Sequence, residues 1–103
     1  MDSKRLLELI DAGAPPIILD VRSPREYALG HVPGAVNIPF WRMAAADIPA
    51  SADHPVVVYC GHGPRAWIAR GLLRRRGFRR VACLAGHMAD WRTAGFPEEP
   101  LRE

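Results

Sequence analysis

Apolar residues along this chain form short blocks that alternate between a helical and a strand pattern. Residues 3–12 place their leucines and isoleucine on one helical face, whereas the continuous apolar runs at 17–21 and 56–59 are typical of strands buried on both faces. Glycine and proline separate the blocks and mark where elements stop. The pattern predicts helices at 3–12, 24–29, 40–47, 64–76 and 87–94, and strands at 17–21, 35–38, 56–59 and 81–84.

Regular alternation of helices and strands predicts one α/β domain over residues 1–103, with a mostly parallel sheet and helices on both faces. In such sheets, ligands bind beyond the carboxyl ends of the strands. Cys60 directly follows the most apolar predicted strand, so it lies where this architecture places chemistry.

Several side chains can be assigned a local role from spacing. Ser23 precedes Pro24 and lies three residues before Glu26, which predicts a capping box, although Arg22 and Glu26 are also spaced for a local ion pair. We expect the tryptophans to pack against other residues and not to stack on a ligand. These tryptophans are Trp41, Trp67 and Trp91. The predicted buried face of helix 64–76 consists of Ile68, Ala69, Leu72 and Leu73.

Charge is spread unevenly along the chain. The net charge is +3, but residues 60–92 contain eight arginines and a single acidic residue. A cleft in that region would attract small anions. No nucleic-acid-binding motif accompanies the basic block, so no nucleic-acid partner is expected. The arginines at 74–76 and 79–80 are interpreted as a solvated surface or a docking site for an acidic protein.

Neither a membrane span nor a bound metal is expected. The longest apolar run is far too short for a bilayer, and Glu8 and Asp11 interrupt any signal-peptide core, so we expect a cytoplasmic, monomeric protein. Cys60 and Cys83 are then expected to remain unpaired. Their spacing to nearby histidines does not match the usual zinc ligands, and we predict no metal and no cofactor.

The residues after Cys60 indicate a reactive cysteine. Gly61 and Gly63 allow the chain to curl tightly, and Pro64 presets the first turn of a helix. Backbone N–H groups and Arg65 would then surround one point, where a thiolate or another anion is stabilised. The alternative is a buried cysteine at a strand end beside an ordinary turn.

Four segments together resemble the rhodanese-like domain family and cover nearly the whole chain. They are 18–27 (ILDVRSPREY), 30–39 (GHVPGAVNIP), 57–65 (VVYCGHGPR), and 84–97, with its LAG start and WRTAGFP end. The resemblance implies the rhodanese-like α/β fold and a cysteine that carries sulfane sulfur as a persulfide.

The resemblance also implies roles for individual residues. Cys60 would attack a small anionic donor such as thiosulfate and pass the sulfur to cyanide, a thiol or a protein. Asp20 and Arg22 would tie the active loop to the sheet, and Cys60 itself is expected to have no packing role. The residues that would form the substrate cradle are Gly61, His62, Gly63, Arg65 and Ala66, with Arg65 holding the donor or steadying the loop.

Three positions depart from the family pattern. Only two residues precede the first predicted helix, so the edge strand that often begins the family's fold is expected to be absent. Gly86-His87 stands where many members have two glycines. His62 occupies the middle of the loop, where donors often meet a basic residue, and its partial charge near neutral pH leaves the preference for thiosulfate open.

Two rival functions remain at this stage. Cysteine-dependent phosphatases and related arsenate reductases place arginine after five intervening residues, whereas Arg65 follows Cys60 after four and Ala66 stands in the required place. The shorter loop favours one sulfur atom over a tetrahedral oxyanion. A non-catalytic interaction module is the other rival. Outside the loop, His31 is interpreted as structural, His54 as exposed, and Cys83 as a core residue, with a resolving cysteine as the minor alternative.

Overall fold

The computed structural model describes residues 1–100, and the last three residues of the predicted domain lie outside this part. Every predicted strand is present, and every predicted helix except one has close to its predicted bounds. The elements are α1 (Ser3–Asp11), β1 (Ile17–Asp20), α2 (Pro24–Leu29), β2 (Val36–Asn37), a 3-10 turn (Phe40–Arg42), β3 (Val56–Tyr59), α3 (Pro64–Arg75), β4 (Val81–Cys83) and α4 (His87–Thr93).

The four strands form one parallel sheet in the order β2-β1-β3-β4, which confirms the predicted α/β fold. Helix α3 and the 3-10 turn region pack on one face, and α1 and α4 pack on the other. Alternate residues of β3 point to opposite faces, so Val58 and Cys60 face α3 while Tyr59 faces α4. The carboxyl end of β3 lies between two neighbouring strands at the centre of the sheet.

The helix predicted at 40–47 is reduced to a 3-10 turn over Phe40–Arg42. Arg76, near the end of α3, donates from Nη1 to the carbonyl oxygens of Met43 at 2.7 Å and Ala46 at 2.8 Å. These carbonyls are therefore bonded to a side chain and do not continue a helical ladder. Met43 is fully buried against the sheet, so a tertiary contact has replaced the local helix.

The buried face of α3 agrees with the predicted one at Ala69 and Leu73, and Leu72 packs partly buried against the same core. It differs at Ile68, which is half exposed, and it also includes Ala66. Of the three tryptophans, Trp91 is buried, whereas Trp41 and Trp67 are exposed and contact Phe40 and Arg70 at the surface. Small alanine side chains allow α3 to lie close to the sheet, and this close approach sets which face of the helix is inward.

The chain start lies along the β4 edge of the sheet. The carbonyl of Met1 accepts the N–H of Ala85 at 2.7 Å, and the Met1 amino group lies 3.4 Å from the carbonyl of Cys83. Within residues 1–100 no strand precedes α1. The first residue nonetheless covers part of the edge that a strand would cover.

A buried network joins β1 to β3 beneath the site. The Arg22 guanidinium pairs with the Asp20 carboxylate at 2.7 Å and donates to the Gly30 carbonyl at 2.7 Å. Tyr59 donates its hydroxyl proton to Asp20 at 2.7 Å and accepts the N–H of Val32 at 3.0 Å. Burial, and then the charge of Asp20, raise the pKa of Tyr59, so its hydroxyl stays protonated.

Replacing Tyr59 by phenylalanine is expected to destabilise the protein by about 2 kcal/mol, because it leaves the buried Val32 N–H without a partner and removes one of the hydrogen bonds to the buried Asp20 carboxylate. Urea unfolding of the wild type and Tyr59→Phe measures this loss. Tyr27→Phe is the matched control, because its hydroxyl donates a single bond to Ala35 in a partly exposed setting. If the two variants lose the same small amount of stability, the network does not stabilise the sheet as argued.

Candidate active site

Cys60 lies one residue beyond β3 and its side chain is fully buried. It belongs to the apolar cluster that also contains Val58 and Ala66. The expectation that Cys60 has no packing role is therefore wrong: its side chain completes the core between the end of β3 and the start of α3. Its position at the carboxyl end of a central parallel strand is the one predicted.

Two backbone N–H groups of the loop and of α3 are directed at the sulfur of Cys60. The N–H of Gly63 donates to Cys60 Sγ at 2.9 Å, and the N–H of Ala66 in the first turn of α3 also hydrogen-bonds the sulfur. Gly63 has φ = +134°, a conformation that side chains with a Cβ rarely adopt. This glycine allows the chain to turn from the strand into α3 while directing its N–H back to the thiol.

The surroundings of Cys60 favour the ionised thiol. Burial of the sulfur raises its pKa, but hydrogen bonds from the His87 side chain and from the N–H groups of Ala66 and Gly63 outweigh that effect. The balance lowers the pKa of Cys60 from the ordinary 9.0 to about 7. Near neutral pH about half of the molecules then carry a nucleophilic thiolate.

The first turn of α4 holds the same loop from the other side. The N–H of Cys60 donates to His87 Nδ1 at 3.2 Å, and the N–H groups of Met88 and Ala89 donate to the carbonyls of Cys60 at 3.0 Å and Gly61 at 3.2 Å. Sequence reasoning noted His87 as a departure from a glycine pair and for its spacing to Cys83, and did not assign it to the site. A histidine at a position where the family favours glycine was the available signal.

Arg65 lies at the rim of the loop and pairs with Glu26 of α2. Its two terminal nitrogens lie 2.5 Å and 3.0 Å from the Glu26 carboxylate oxygens. The hydrogen bond from Arg65 is the main reason that the pKa of Glu26 falls to about 2. Glu26 also completes the predicted capping box with Ser23. The local pair expected between Arg22 and Glu26 is wrong, since Arg22 is bound to Asp20 instead.

The predicted site residues thus fall into three groups. Gly63 and Ala66 contact the sulfur of Cys60, while Gly61 lies beside them with Arg65 against it. His62 is exposed at the loop tip. Asp20 and Arg22 belong to the buried network on the Tyr59 side of β3, opposite the face on which Cys60 packs.

The remaining candidates lie outside the loop. His31 is buried, stacks on Tyr27 and has Nδ1 2.9 Å from the Tyr27 carbonyl oxygen, as expected of a structural residue. His54 is exposed. Cys83 is partly buried in β4, and burial raises its pKa, so it is a poorer nucleophile than Cys60. Both cysteines are unpaired.

Across residues 1–100, no three histidine, cysteine or acidic side chains come together in a way that could hold a metal ion. In the same part of the chain, no helix has both the length and the apolar character needed to cross a bilayer.

The chain is similar to known proteins both in sequence and in structure. Residues 2–94 match the family model of the rhodanese-like domain. A sulfurtransferase of Allochromatium vinosum is 30% identical, with 94% of this chain and 91% of that protein covered. The thiosulfate sulfurtransferase GlpE of Ectopseudomonas mendocina is 35% identical, with 89% and 82% covered. The crystal structure of the Alr3790 protein from Anabaena sp. superposes with a TM-score of 0.88 at 31% identity, over 98% of this chain and 82% of that one.

Proposed function

The chain belongs to the rhodanese-like domain family, and on that premise we propose that it is a sulfurtransferase that carries sulfane sulfur as a persulfide on Cys60. The observation that carries this proposal is the Cys60 thiol itself, held 2.9 Å from the Gly63 N–H at the start of α3 with a pKa of about 7. Relatives named as sulfurtransferases support the reaction class.

The proposed reaction is a double displacement. The Cys60 thiolate attacks the outer sulfur of thiosulfate or a similar donor, the sulfur–sulfur bond of the donor breaks, and sulfite leaves with the bonding electron pair. Cyanide, a thiol or a protein thiolate then takes the terminal sulfur and restores the Cys60 thiolate. The N–H groups of Gly63 and Ala66 stabilise the sulfur anion before and after transfer.

The loop geometry argues for sulfur and against a phosphoryl group. A tetrahedral oxyanion needs a cationic side chain turned toward the nucleophile as well as several N–H donors. Arg65 is the cation nearest in sequence, and its guanidinium is held by both oxygens of Glu26. We therefore assign Arg65 the role of steadying the loop and its rim rather than of binding an oxyanion as a phosphatase arginine does. Retention of an activated thiol argues against a purely non-catalytic module.

Partners and location follow from the same proposal. A small anionic donor suits the basic segment that includes Arg65, and the proposed reaction needs no cofactor. The exposed His62 at the loop tip would meet the donor or acceptor first. Unpaired cysteines suit the reducing cytoplasm, where we propose that the protein acts as a monomer.

Incubation with thiosulfate is expected to add one sulfur atom to Cys60, measured by intact mass and peptide mapping under non-reducing conditions. Cys83→Ala is the matched variant, because it leaves Cys60 as the single thiol. We expect it to take up sulfur at the wild-type rate and to lose on the order of 1 kcal/mol of stability, as for a small truncation in a partly buried site. Absence of sulfur uptake in both proteins contradicts the proposed function, and uptake lost only in Cys83→Ala assigns Cys83 a relay role.

A further inference from the structure

His87 has a backbone conformation that its residue type rarely adopts. Its φ is +53°, directly after Gly86 with φ = +71°. A Cβ makes this left-handed region unfavourable, whereas glycine occupies it without strain. Strained residues that persist in a fold concentrate at functional sites. The chain therefore carries an imidazole at a position where glycine would satisfy the backbone more easily.

The contacts of His87 determine which ring nitrogen carries its proton. The ring is nearly buried, and Nδ1 lies 3.2 Å from the backbone nitrogen of Cys60. A backbone N–H can only donate, so Nδ1 must be the unprotonated nitrogen of the ring. The proton of the neutral imidazole is then on Nε2.

His87 Nε2 lies against the turn that surrounds the sulfur. A Cβ on Gly63 would come within 3.4 Å of Nε2, and the N–H of this same Gly63 donates to Cys60 Sγ. Burial raises the pKa of Cys60, and the hydrogen bond with the His87 side chain is the largest of the influences that lower it. The ring thus lies between the backbone of Cys60 and the glycine whose N–H reaches the sulfur.

We propose that His87 is the side-chain hydrogen-bond donor of the Cys60 cradle, fixed in one tautomer by the Cys60 N–H and stabilising the thiolate and then the persulfide. The claim that His87 stabilises the persulfide rests on the proposed function. His87 donates a hydrogen bond throughout and transfers no proton, because sulfite leaves as an anion when the outer sulfur bonds to Cys60.

Other titratable side chains near Cys60 do not supply this donor. Arg65 on α3 has both carboxylate oxygens of Glu26 as partners. Cys83 on β4 has a pKa raised by burial and is neutral near pH 7. His62, two residues after Cys60, is exposed to solvent. His87 on α4 has one ring nitrogen at the Cys60 N–H and the other against Gly63, so it is the side chain placed to donate to the thiol.

His87→Gly and His87→Asn test the role, both in the Cys83→Ala background. Glycine adopts the left-handed backbone conformation without strain, and the substitution removes the imidazole ring. Asparagine also tolerates this backbone and keeps an acceptor near the place of Nδ1, but its side chain is too short to reach the place of Nε2. The rate of Cys60 alkylation by iodoacetamide is measured against pH, together with the melting temperature.

The parent is expected to reach half-maximal alkylation near pH 7, with the rate falling about tenfold per unit below that pH. Both variants are expected to shift this midpoint upward by about one unit, which lowers the rate at pH 7 by roughly five- to tenfold. Their melting temperatures should stay within about 5 °C of the parent, since relief of strain offsets lost contacts. A purely structural role would lower the melting temperature without moving the midpoint.

An unshifted midpoint in both variants overturns the proposal. A wild-type midpoint in His87→Asn with a raised one in His87→Gly also overturns it, because the acceptor contact alone would then suffice. Alkylation needs no sulfur donor, so a shifted midpoint without sulfur uptake from thiosulfate refutes the sulfurtransferase assignment and leaves the donor role of His87 standing.

Discussion

Cys60→Ser is expected to reduce thiosulfate:cyanide sulfur transfer by at least about 10⁴-fold, because a serine hydroxyl does not ionise near neutral pH and cannot form a persulfide. The fold should survive with a loss on the order of 1 kcal/mol, since the site is fully buried but the hydroxyl can still accept the Gly63 N–H. Cys60→Ala is expected to cost somewhat more stability, because that N–H then loses its partner.

Cys83→Ser is the control for Cys60→Ser, since it makes the same chemical change in a partly buried strand residue outside the loop. Turnover and urea unfolding are measured on all three variants. Activity above a tenth of wild type in Cys60→Ser refutes the covalent mechanism. Gross unfolding of both Cys60 variants would show instead that the cysteine is retained for packing.

Inserting one glycine after Gly63 is expected to lower persulfide formation by roughly 10²- to 10³-fold. The Gly63 N–H now reaches Cys60 Sγ at 2.9 Å, and the Gly63 carbonyl accepts the Trp67 N–H in the first turn of α3. An extra residue separates these two contacts, so the N–H groups of Gly63 and Ala66 no longer converge on one sulfur atom.

The matched control is a glycine inserted after Gly13, in an open turn between α1 and β1 that is remote from the loop. Both insertions should cost similar, small amounts of stability, because they lie at the surface. Thiosulfate:cyanide turnover and aryl phosphate hydrolysis are measured on each. Unchanged sulfur transfer after insertion at 63 shows that loop size does not select the substrate atom. If the wild type hydrolyses aryl phosphate faster than it transfers sulfur, a phosphatase becomes the better supported function and the sulfurtransferase the weaker one.

The sequence alone determined the parts of this protein that depend on local signals. The continuous apolar run before Cys60 predicts a strand buried on both faces, and β3 is such a strand. The Ser23–Glu26 capping box and the Pro64 helix start are likewise encoded within a few residues and are present. The order of these elements was enough to predict the α/β fold class and to place Cys60 at the carboxyl end of a strand.

Elements whose form depends on distant contacts were predicted less well. The helix at 40–47 is shortened by Arg76, which lies more than thirty residues away from Met43. Helix α3 presents alanines to the sheet and leaves Ile68 exposed, because close approach of the helix to the sheet outweighs the hydrophobicity of single side chains. Neither effect leaves a signal in local spacing.

Only the tertiary structure decided the electrostatics of the site. The Glu26 carboxylate already accepts a hydrogen bond from Ser23 at the start of α2, yet it also binds Arg65, which is 39 residues further along the sequence. His87 lies 27 residues from Cys60, and only the packing of α4 against the end of β3 brings its imidazole to the thiol. The local sequence pattern predicts where Cys60 lies in the parallel sheet. The pKa of its thiol, however, depends on groups that are distant in sequence, because only the folded chain brings them next to the sulfur.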